Sequence, residues 1–86
     1  MTDGTTTAVE LEERILEAIR GFARDGAEVT READLDAIDV DSLDLVELAQ
    51  IVEEEHGVRV EASELERVET VGQVTDVILA KLPSAA

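Results

Sequence analysis

Apolar residues fall at helical spacing in separate stretches of this chain, and between the first two the spacing dissolves. Leu11, Ile15, Leu16, Ile19 and Phe22 recur every three or four residues, with Glu12, Glu13, Glu17 and Arg20 between them. That period is one face of an α-helix. Thr7 and Glu10 have the spacing of a capping box and Asp25-Gly26 is a stop signal, so the pattern predicts a first helix over about 8–23. A second amphipathic stretch opens at Ser42 and ends near Glu55, with Gly57 placed as a C-terminal cap. On its helical wheel Leu45, Leu48, Ala49 and Val52 cluster within about one third of the circle. Leu43 and Val46 fall on the other side, beside Asp44, Glu47 and Glu54, which predicts that they are not all core.

From Asp25 to Asp41 neither a helical nor a strand period fits, and the segment reads as a long loop with one helical turn around Arg31 to Leu35. Val58 and Val60 flank Arg59 in a short extended link, and Ala62 to Arg67 can form a short third helix. Thr70 and Gln73 form another capping box, opening a last helix that turns Val71, Val74, Val77, Ile78 and Leu82 inward and stops before Pro83. The expected fold is all-α: a small four-helix bundle with a long loop between helices one and two and a short helix three. The domain is expected over 7–82, between disordered tails at 1–6 and 83–86.

Length and charge narrow the function. A chain of 86 residues holds one domain. Its 22 acidic against 7 basic residues give a net charge of −15, which repels phosphate backbones and anionic lipid, so neither nucleic acid nor membrane is an expected partner and basic protein surfaces are. There is no cysteine, so any thiol chemistry must use an imported thiol. Phe22 is the sole aromatic, which removes the stacking platforms of single-strand nucleic-acid and sugar binders. The N-terminus lacks a basic start followed by an apolar run, and the expected setting is cytoplasmic, as a monomer.

Conventional catalysis has one formal set of residues, Ser42, His56 and a carboxylate. If both lie on the second helix, they stand roughly 21 Å apart, out of hydrogen-bond reach. His56 instead suits a helix C-terminus as a cation. Asp34, Asp36, Asp39, Asp41, Asp44 and Glu47 form a dense acidic run, yet the calcium-loop pattern fails: counting from Asp34, Ile38 and Asp39 stand at the fifth and sixth positions. No metal site is assigned. One hydroxyl remains, Ser42, at the start of a helix within Asp39-Val40-Asp41-Ser42-Leu43-Asp44-Leu45-Val46-Glu47-Leu48. Taken alone it is an N-cap serine.

Asp-Ser-Leu-Asp followed by Leu45-Val46-Glu47-Leu48 and Glu53-Glu54-Glu55 resembles the 4′-phosphopantetheine attachment region of acyl carrier proteins. The resemblance extends from about residue 8 through Leu82 and includes the length, acidity, long loop and the Glu-Arg-Val-Glu-Thr-Val entry to the last helix. It implies that a phosphopantetheinyl transferase moves the arm of coenzyme A onto Ser42 and that acyl groups then ride on the arm as thioesters. It also implies that Asp41 and Asp44 face the transferase. Leu43, Asp44, Val46, Glu47, Glu53 and Glu54 match positions shown to basic patches on an acyltransferase or ligase, a ketosynthase and tailoring enzymes. Asp39 departs from the family, which usually has Gly three residues before the serine. That replacement and the Ala- and Arg-rich flavour lean towards a polyketide or specialised carrier rather than fatty acid synthesis. The rival expectation is a non-enzymatic acidic adaptor or divalent-ion-responsive module, with Ser42 as an ordinary cap.

Overall fold

The structure is a computed structural model and describes residues 8–82. The expected tails and the Thr7 cap lie outside the described residues. Three α-helices, α1 (Ala8–Phe22), α2 (Ser42–His56) and α3 (Val71–Leu79), enclose one aliphatic core. The all-α class stands, with a different count of helices. The segment expected as a short third helix is a 3₁₀ turn, Ala62–Leu65. Leu65 is its single buried residue, and one anchor in so short a run does not sustain the costly nucleus of an α-helix. A second 3₁₀ turn, Asp36–Ile38, replaces the turn expected around Arg31 to Leu35.

The core comes from the predicted faces. Leu11, Ile15 and Ile19 of α1, Leu48 and Val52 of α2, and Val71, Val74 and Ile78 of α3 are fully buried. Leu16 and Phe22 are half-buried, and so are Val77 and Leu82. Thr75, the one fully buried polar residue described, donates its hydroxyl to the Val71 carbonyl at 2.9 Å. α2 ends at Gly57, whose left-handed backbone (φ 70°) lets its amide reach the Glu53 carbonyl at 3.0 Å. α3 ends earlier than expected because its last turn tightens: the amides of Lys81 and Leu82 donate three residues back, to Ile78 and Leu79.

The long loop is ordered by its own anchors and by a seam on α3. Leu35, Ile38 and Val40 are each buried to within 4%. The amides of Val71 and Gly72 donate to the carbonyls of Ala33 and Arg31 at 3.0 and 2.8 Å, and the Leu35 amide donates to the Glu69 carbonyl at 2.9 Å. These bonds occupy the backbone of residues 31–35, which is why the helical turn forms further on. A Cβ at position 72 would stand 3.0 Å from the Arg31 carbonyl oxygen, so any larger residue would push the seam apart by a few tenths of an ångström. Nη2 of Arg31 donates to both oxygens of Asp76 at 3.0 and 3.1 Å, and its Nη1 reaches Glu12 of α1 at 3.5 Å.

Two further ion pairs tie elements together. Arg14 of α1 holds Glu55 of α2 through Nε at 2.7 Å and Nη2 at 3.1 Å. Lys81 pairs with Glu64 of the 3₁₀ turn, whose carboxylate also accepts from the Glu61 amide. Their hydrogen-bonded cations hold both carboxyls below the usual glutamate range. Among the described residues no helix is long and apolar enough to cross a membrane.

Candidate functional site

The loop delivers α2 through a local structure that leaves Ser42 outside the cap. Ile38 and Val40 are buried in the core, and the backbone reverses between them at Asp39, which takes a left-handed conformation (φ 64°, ψ 36°). Asp39 is the one non-glycine with positive φ among the described residues. This explains the usual glycine at that place. Asp is among the few side chains that enter this region at tolerable cost.

Two residues on, Asp41 is the N-cap of α2. Its Oδ1 accepts from the Asp44 amide at 3.0 Å, and the Asp44 carboxylate accepts from the Asp41 amide at 3.2 Å. That reciprocal capping box corrects the cap reading of Ser42, which is the first helical residue instead. Asp is a stronger candidate for the place because its carboxylate also complements the positive end of the helix dipole. Ser42 is exposed, and no described residue bonds to its hydroxyl. The Asp44 amide is taken by the cap and the Leu45 amide by the Asp41 carbonyl, whereas the Ser42 and Leu43 amides have no acceptor among the described residues. An anion on the Ser42 oxygen would sit beside two open N–H donors.

Ser42 also lies at the shared edge of two clefts. One, about 240 Å³, runs between α2 and the Ala62–Leu65 turn and is lined by Leu45, Val46, Ala62, Leu65 and Glu66 as well as Ser42. The other, about 270 Å³, continues towards the loop over Leu35, Val40, Leu65 and Val68. Both are grooves with an aliphatic floor, and Ser42 lines each of them.

Of the residues singled out in the sequence, Leu43 and Val46 are exposed by 76% and 39%, on the outward face of α2 with Glu47, Glu53 and Glu54. Asp41 and Asp44 stand beside Ser42 and hold the helix start. His56 lies at the far end of the same helix, so no triad assembles. Among the described residues no group of three or more His, Asp or Glu is placed to hold a metal ion. Leu65, Glu66 and Val68 were not picked out from the sequence as site residues. They belong to a segment of weak periodicity, and only the fold brings them opposite Ser42.

A family model described as the phosphopantetheine attachment site matches residues 13–78. An acyl carrier protein of Saccharopolyspora erythraea is 53% identical over 53 residues, a match spanning 60% of this chain and 56% of that relative's length. An acyl carrier protein of Petrotoga mobilis is 40% identical over 78 residues, covering 88% of this chain and 92% of the relative. Among solved structures, 3-oxo-butyl-ACP from the actinorhodin polyketide synthase of Streptomyces coelicolor has a TM-score of 0.68 at 30% identity, over 94% of this chain and 95% of that one. The actinorhodin holo acyl carrier protein of the same organism gives 0.66 at 27% identity, over 95% and 96%. 4′-Phosphopantetheine is the prosthetic group these matches imply, and an exposed hydroxyl with open amides and clefts at its side fits it. Fold, site and matches agree, and the chain belongs to the acyl carrier proteins of the phosphopantetheine-attachment family.

Proposed function

We propose that Ser42 is the residue that receives 4′-phosphopantetheine from coenzyme A, and that the loaded domain, residues 7–82, shuttles acyl intermediates between the enzymes of a polyketide pathway. When bound, the group supplies a terminal thiol on which acyl groups are held as thioesters, which a chain without cysteine cannot provide itself. The observation that carries the reading is the unbonded, exposed Ser42 hydroxyl one residue inside a helix capped by its neighbour. The open amides of Ser42 and Leu43 favour the phosphodiester anion, while the Asp41 and Asp44 carboxylates keep those amides in a formed helical turn. The polyketide setting is supported by the actinorhodin carriers among the structural neighbours.

The outward face of α2 is the docking surface. From Asp41 to Glu54 the chain has Asp41, Asp44, Glu47, Glu53 and Glu54 and no Lys or Arg. On α2, Arg14 pairs with Glu55 alone, at the far end. An uncompensated acidic strip around exposed Leu43 and Val46 suits enzymes with basic patches, steering encounter while each contact stays weak.

One experiment tests both parts. Purified protein is incubated with coenzyme A, magnesium and a broad-specificity phosphopantetheinyl transferase, and intact mass is followed over time at several salt concentrations. Wild type gains one phosphopantetheine and Ser42→Ala gains none, while the wild-type rate falls as salt screens the acidic face. A mass gain in Ser42→Ala would move the attachment elsewhere, no gain in folded wild type would leave an acidic adaptor, and a salt-independent rate would remove the docking face.

A further inference from the structure

The two clefts that meet at Ser42 have a charge pattern as well as a shape. Both contain Leu45 and Leu65, which are 6% and 3% exposed and form the floor, and both contain Glu66. The other ionisable residues on their walls are Asp36 and Asp41; no Lys, Arg or His lines either one. The Asp41 carboxylate is committed to the cap of α2. Glu66 has no side-chain partner among the described residues, and it comes directly after the turn that closes the groove. Arg67, its neighbour in sequence, lines neither cleft.

We propose that Glu66 gives this groove a charge preference, so that a neutral acyl group can fold back from the arm onto Leu45 and Leu65 while one ending in a carboxylate is kept in solvent. The proposal rests on Ser42 being the attachment residue. A neutral chain entering the groove sheds water from apolar surface on both sides, which favours entry. A terminal carboxylate would have to give up part of its hydration beside Glu66 and Asp36, with no cation on the walls to replace it. The same arm would then present carboxylated units outward, accessible to a partner enzyme, and shelter neutral intermediates.

The test uses holo protein loaded with three acyl groups of similar length: hexanoyl, adipoyl with a free terminal carboxylate, and the terminal carboxamide of adipoyl as an uncharged isostere. Intact mass of the wild type beside Ser42→Ala first verifies that each is on Ser42. Absence of the adduct at that residue defeats the attachment reading, whereas the charge preference is decided by the methyl spectra. Methyl NMR spectra of Leu45, Leu65, Val40 and Val68 are compared with those of unacylated holo protein at neutral pH. Hexanoyl and the carboxamide are expected to shift the Leu45 and Leu65 methyls, adipoyl to leave them in place, and Glu66→Gln to restore the shift for adipoyl. Glu66 is exposed, so the variant keeps the fold, which the other methyl signals report. Equal shifts for adipoyl and its carboxamide in the wild type would overturn the proposal. So would an unchanged adipoyl response in Glu66→Gln, or no shift with any of the three.

Discussion

The two ends of the segment 31–44, which is the second half of the long loop and the first residues of α2, are held in opposite ways. At its α3 end, residues 31–35 are bonded to another element: three backbone hydrogen bonds, the Arg31–Asp76 pair and the close approach at Gly72. At its α2 end, residues 39–44 are held by short-range bonds, the Asp39 reversal, the Val40 amide on the Leu35 carbonyl and the Asp41–Asp44 box, with Val40 as the core anchor. The first arrangement fixes where the loop lies. The second forms a helix start with no hydrogen bond to another helix among the described residues, so the serine inside it, and the face it opens, stay accessible. Tertiary hydrogen bonding is concentrated where no chemistry is proposed, and the helix start that carries Ser42 is shaped by local bonds, while only the groove walls beside it come from the fold.

The sharpest way to break this comparison is to delete a leucine from each end. Leu35→Ala, at the buried end, is expected to cost about 2–5 kcal/mol, whereas Leu43→Ala should stay within about 0.5 kcal/mol. Urea unfolding measures both, and equal losses would show that the α2 start depends on packing after all. Gly72→Ala comes next. Overpacking against the Arg31 carbonyl costs roughly 1–3 kcal/mol and better helix propensity returns up to about 1, so a net loss on the order of 1 kcal/mol is expected. Amide exchange should quicken at Leu35, Val71 and residue 72 but not in the first turn of α2; a stabilised variant would mean the seam can give way.

Asp39→Gly acts at the other end and in the opposite direction. It relieves a left-handed Asp but adds freedom to the unfolded chain, leaving a gain of about 0.5 kcal/mol. A thermal melt that falls instead would show that Asp39 contributes more than a reversal.

The smallest effect concerns acid. The folded-state carboxyl of Glu55 is lowered by Arg14, so its contribution is present above about pH 4.3, the ordinary glutamate value, and is lost as pH falls through the lowered one. Wild type should therefore melt slightly higher than Glu55→Gln at about pH 6, with the difference shrinking as the pH is taken down through the lowered folded-state value. A difference that survives in acid would assign the effect to packing. Loading of Ser42 should be the same in both.

Legibility in the sequence divides along the same line. The helices α1 and α2, the buried faces, the Gly57 cap and the exposure of Leu43 and Val46 were legible because period and capping are local signals. The seam was not, since nothing near Arg31 or Gly72 says that the two will meet. Nor were the groove walls, because Leu65, Glu66 and Val68 belong to the site only through the fold. The third helix was overread: Ala62 to Arg67 has helical residues but only Leu65 to anchor them. The cap was misplaced by one residue. Serine and aspartate both cap well, and the Asp41 to Asp44 spacing, a short-chain version of the box, was the signal that could have decided between them.

Placing the cap on Asp41 separates two roles that a capping serine would have joined. Had the hydroxyl held the helix, esterifying it would have altered the folding equilibrium, and modified and unmodified forms would differ in lifetime. With the cap next door, the proposed attachment would break no bond that holds the helix, so proteases and chaperones would meet no loosened form to sort out. Enzymes that must tell apo from holo protein would then read the arm and the helix start it touches rather than a loosened body.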